Sequence, residues 1–111
     1  MELVSERRGK IIVIRAMAER IDAASAIQFK ERMREIIEIP SERVVFDMSK
    51  VTFLDSSGLG AVVSVMKSLG PTRKLELSGL TPTVEKVFRL TRMDSVFLIH
   101  KVLPESLRHA G

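Results

Sequence analysis

Apolar residues along the chain gather into short continuous runs that alternate with stripes at helical spacing. Leu3 to Glu6 and Lys10 to Ala16, the latter carrying Ile11-Ile12-Val13-Ile14, read as two strands about Arg8-Gly9, so an opening hairpin is expected. Asp22 stands where an N-cap belongs, and Ala23, Ala26, Ile27, Met33, Ile36 and Ile37 then recur at helical spacing until Pro40. Arg43 to Met48 contains Val44-Val45-Phe46, a run suited to a strand buried on both faces. Beyond the corner Asp55-Ser56-Ser57-Gly58 the period changes again. Leu59, Val62, Val63, Met66 and Leu69 form one stripe closed by Gly70 and Pro71, which predicts a second helix from about Ser57 to Leu69.

Lys74 to Leu77 reads as the next strand, Thr81-Pro82 as a cap and first-turn proline, and Val84, Val87 and Phe88 as the inward face of a third helix. Val96 to Ile99 supplies a last strand, and Pro104 to Arg108 a short terminal helix. The order β β α β α β α β with that tail calls for an α/β fold. Its sheet is mixed, with crossover helices between parallel neighbours and an antiparallel pair from the hairpin.

Composition narrows the function classes. At 111 residues, with 45% hydrophobic and 29% charged, the whole chain is expected to form one domain with an ordinary core. The chain has no basic leader followed by an apolar stretch, and no apolar run nears the roughly 18 residues of a membrane span, so neither secretion nor membrane insertion is expected. The absence of cysteine removes disulfides, thiolate catalysis and Cys-based metal sites, and fits a cytoplasmic location. The net charge of +4 is scattered over Arg7/Arg8/Lys10, Arg73/Lys74, Arg89/Arg92 and Lys101/Arg108, without Trp or Tyr to stack on bases, which argues against nucleic acid.

The corner from Phe53 to Gly60, FLDSSGLG, holds the candidate chemistry. A nucleophilic serine needs a base, and only His100 and His109 offer an imidazole; the G-x-S-x-G elbow is absent. A receiver-type phosphoacceptor at Asp47 lacks the companion carboxylates that would hold a cation, so Asp47 is read as a loop or cap residue. Gly58-Leu59-Gly60 falls short of either phosphate-cradling glycine motif, and no cofactor is implied. Asp55, Ser56 or Ser57 could each cap the second helix. Equally, a phosphate added to a serine there would meet unpaired N–H groups at the positive end of the helix dipole. Ser57, Gly60/Ala61, Ser64 and Lys67/Ser68 form an outward stripe of mostly small side chains, open to close docking.

The stretch VVFDMSKVTFLDSSGLGAVV, Val44 to Val63, with its D-S-S-G-L-G signature, resembles the STAS domains of anti-sigma factor antagonists. GLTPTVEKVFRLTRMDSVF, Gly79 to Phe97, is similar to the family's later strand-helix-strand segment. The resemblance covers nearly the whole chain. It implies a non-enzymatic switch protein whose Ser57 is the phosphoacceptor, with Asp22 and Asp55 matching the family's acids; Ser56 and Gly58 complete that environment, and Leu59, Gly60, Ala61, Ser64 and Lys67 of the second helix are expected to meet the partner. The implied partners are an anti-sigma factor that doubles as a serine kinase, bound when Ser57 is free and released when it is phosphorylated, and a serine phosphatase. The chain departs from the family's G-x-L-D turn in having Glu19-Arg20-Ile21-Asp22. An alternative within the same fold is a subunit of a lipid-transport ABC complex that binds the partner ATPase without modification.

Overall fold

A computed structural model describes residues 1–103. Its first two strands, β1 (Leu3–Arg8) and β2 (Ile11–Ala16), form the antiparallel hairpin, with Arg8 opposite Ile11. Gly9 takes φ 62°, the left-handed conformation that so tight a reversal demands and glycine adopts without strain. The chain then adds β4 (Arg43–Asp47), β6 (Leu75–Ser78) and β7 (Leu98–His100), each parallel to its neighbour, in the order β1-β2-β4-β6-β7. Helices α1 (Ala26–Ile37), α2 (Ser56–Leu69) and α3 (Pro82–Leu90) are the crossovers, so the expected mixed α/β sheet is the observed one. None of these helices is long and apolar enough to cross a membrane.

Strand alternation explains the core. Ile12, Ile14, Val44, Phe46, Leu75 and Leu77 point to the helices and meet Phe29, Met33, Val62, Val65 and Phe88 in one buried cluster. Complete burial of such side chains contributes about 1.5–3 kcal/mol each before the entropy of ordering is subtracted. On the other face Val13 and Val45 pack beneath Leu103, which is why β4 is apolar at successive positions.

Four expectations need correction. Helix α1 begins at Ala26, so Phe29 and Met33 turn inward while Ile27, a step of about 100° around the helix from Ala26, is 67% exposed. Helix α2 buries Gly58, Ala61, Val62, Val65 and Leu69, leaving Leu59, Val63 and Met66 half-buried on one flank. Asp47 keeps the expected capping role by accepting from the Ser49 N–H, but it does so from the end of β4 and not from a loop, as a buried carboxylate also bonded to Arg15 Nε at 3.1 Å. A single 3₁₀ turn at Met93–Ser95 delays the last strand to Leu98, leaving Val96 exposed. The terminal helix expected at Pro104 to Arg108 and the imidazole of His109 lie outside the described residues.

Candidate functional site

Two strands of two residues each, β3 (Arg20–Ile21) and β5 (Phe53–Leu54), pair in parallel as a separate ladder and bring the loop before α1 against the start of α2. Amides of Thr52 and Phe53 both donate to the Glu19 carbonyl, extending this clasp. Arg20 lies over the Phe53 ring, 4.0 Å from its centroid, and its Nε donates to Asp22 Oδ2 at 3.2 Å. That guanidinium is the main reason the Asp22 carboxyl titrates below the ordinary aspartate range. Neither Arg20 nor Phe53 stands out in the sequence, because two-residue strands are too short to show alternation.

Asp22 organises the turn ahead of α1. Its Oδ1 accepts from the Ala24 and Ser25 amides, and its carbonyl accepts from the Ala26 amide, so the regular helix starts three residues later than an N-cap at Asp22 would give. Asp55 does the same for α2 and more. One carboxylate oxygen accepts the Gly58 N–H at 2.8 Å, and the other accepts the Ala23 N–H at 3.1 Å. A single side chain therefore caps α2 and ties it to the loop carrying Asp22.

This assignment settles which residue at the corner is the cap. Ser56 and Ser57 are exposed, and neither hydroxyl makes a hydrogen bond among the described residues. As the first two residues of α2, they also present amides with no intrahelical acceptor. Gly58 is buried directly behind them because the Ile21 backbone occupies the space of a side chain, with Leu54 Cδ1 only 2.8 Å from a would-be β-carbon. The corner thus holds Ser57 outward on a backbone packed against Ile21 and capped by Asp55.

Residues expected to meet a partner divide in two. Gly60 and Lys67 are exposed and Ser64 is half-buried, whereas Leu59 belongs to the half-buried flank. Ala61 is 3% exposed and lies in the core, a correction that follows from its turning inward with Gly58 and Val65. His100, the one imidazole among the described residues, bonds Glu76 Oε1 at 2.8 Å on the sheet face that carries Val45. Arg43 grips the same carboxylate through two bonds of 2.7 and 2.6 Å. Those bonds, with a smaller contribution from His100, hold Glu76 below the ordinary glutamate range against the opposing effect of burial.

Comparison with known proteins agrees with the fold. The STAS domain family matches residues 2–106. The anti-sigma-B factor antagonist of Listeria monocytogenes is 32% identical over 88 residues, 78% of this chain and 76% of its own. The crystal structure of an anti-sigma factor antagonist from Mycobacterium paratuberculosis superposes with a TM-score of 0.85 at 22% identity, over 96% of this chain and 90% of that one. The Bacillus cell fate determinant SpoIIAA, in its phosphorylated form, gives 0.67 at 22% identity over 96% of each chain.

Proposed function

The chain belongs to the STAS-domain family, among the anti-sigma factor antagonists, and we propose that it is a phosphorylation-controlled partner switch with Ser57 as its phosphoacceptor. In its unmodified form it binds an anti-sigma factor that is also a serine kinase; phosphate on Ser57 releases that partner, and a serine phosphatase restores the hydroxyl. The switch operates in the cytoplasm, and the chain is substrate and ligand in the cycle with no turnover of its own.

The observation that carries this reading is the division of labour at the corner. Asp55 has taken the capping role, so the exposed Ser57 hydroxyl can be modified without removing any hydrogen bond among the described residues. A phosphate there adds about −1.5 to −2 charges, which the free amides at the start of α2 can hold locally. The partner, in contrast, would have to desolvate a dianion where it had met a hydroxyl. Incubation with the kinase and ATP followed by mass-spectrometric mapping tests the assignment: phosphate on Ser57 supports it, and phosphate on Ser56 alone contradicts it.

A further inference from the structure

An apolar side chain and three cations lie along the two helices that begin beside the Ser57 corner. Both α1 and α2 connect parallel strands, so they run in the same direction and pack side by side. The N-terminal ammonium donates to Gln28, which marks one flank of α1 as the β1 side. The other flank faces α2, as the bond from Ala23 to Asp55 shows. On that flank Ile27, Lys30 and Arg34 follow one another at i, i+3 and i+7. Met66, on the opposite flank of α2, lines a cleft with Val96 and Phe97, so Ser57 and Ser64 are on the side toward α1, with Gly60 and Lys67 on the outward crest.

Ile27, at 67% exposure, is the second residue of α1 as Ser57 is of α2, and Lys30, Arg34 and Lys67 follow farther along the two helices. Among the described residues none of the three cations has an ion pair or side-chain hydrogen bond; Lys50, Lys74, Lys86, Arg92 and Lys101 share that state, and what distinguishes Lys30, Arg34 and Lys67 is their place on the two helices with Ile27 and Ser57. Arg34 and Lys67 sit in last helical turns, where the dipole favours a cation, but Lys30 does not.

We infer that the partner's docking segment is acidic and apolar: it covers Ile27 with an apolar side chain and sets carboxylates against Lys30, Arg34 and Lys67. This rests on the partner-switching reading and extends its interface from α2 onto α1. It also supplies a second reason for release, since phosphate on Ser57 would repel those carboxylates as well as obstruct them.

The test uses the full chain and the anti-sigma factor purified on it, titrated against wild type, Ile27→Ser, the triple variant Lys30→Glu/Arg34→Glu/Lys67→Glu, and Ser64→Arg. Thermal unfolding of each variant checks its fold, and any that fails is replaced by Ile27→Thr or by single charge reversals. Ile27→Ser is expected to weaken binding about tenfold or more, as loss of an interface anchor does. The triple reversal should weaken it further at low salt, with the deficit shrinking between about 0.05 and about 0.5 M salt. Wild-type affinity in either variant, or tighter binding by the triple reversal, overturns the inference. Should Ser64→Arg alone abolish binding, the α2 interface stands while its extension falls; if Ser64→Arg also binds normally, the proposed interface itself is wrong.

Discussion

The carbonyl oxygen of Ile21 occupies the place that a β-carbon on Gly58 would take. The clasp between β3 and the start of α2 thus depends on the absence of one methyl group. Gly58→Ala must push the two backbones apart, and an overpacking cost of about 1–3 kcal/mol is expected in urea unfolding. A change below about 0.5 kcal/mol would mean that the ladder yields easily.

Asp55 joins two loops, so its substitutions should separate capping from tethering. Asp55→Ala loses both amide bonds and should destabilise by about 1–2 kcal/mol. Asp55→Ser can still reach the Gly58 amide but not Ala23, and should recover part of that loss. Equal unfolding midpoints for the two variants would show that the bond to Ala23 contributes most of the effect.

The serines should behave oppositely to the acid. Ser56→Ala and Ser57→Ala remove hydroxyls with no partner among the described residues and should change stability by less than about 0.5 kcal/mol. Ser64→Arg should be similarly mild, whereas Ala61→Arg forces a charge into the core and should cost more than about 3 kcal/mol. Chemical denaturation of the four variants checks the ranking.

The succession of long strands and the three helices along the chain were legible because each long run kept its period: Val44-Val45-Phe46 for a strand covered on both faces, Thr81-Pro82 for a helix start. What was hidden depended on partners distant in sequence. A helix stripe fixes its inward direction only when its first residue is known, and the turn held by Asp22 moved that start to Ala26, turning Ile27 out and Phe29 in. Ala61 could be assigned to either face of α2, since alanine carries little hydrophobic signal. The capping choice among Asp55, Ser56 and Ser57 was equally open until the Gly58 and Ala23 amides were seen to converge on Asp55.

Glu76 gives the fold an acid sensitivity. Its folded pKa is depressed, mainly by Arg43, so its contribution to stability is complete above the ordinary glutamate range and is lost as pH falls through the depressed value. Glu76→Gln should therefore destabilise near neutrality by about 1–3 kcal/mol and flatten the acid limb of stability against pH. An unchanged acid limb in urea titrations at stepped pH would remove Glu76 from that role.

Calorimetric titration of the purified anti-sigma factor with the unmodified chain and with chain phosphorylated on Ser57 tests the switch most directly. Far-UV circular dichroism recorded on both forms separates weakened docking from unfolding. The expected result is identical spectra with affinity at least about tenfold lower for the phosphorylated form, a difference of about 1.4 kcal/mol or more. Ser57→Asp should fall between the two, having one charge where the phosphate has nearly two. Equal affinity of the modified and unmodified forms would contradict the account.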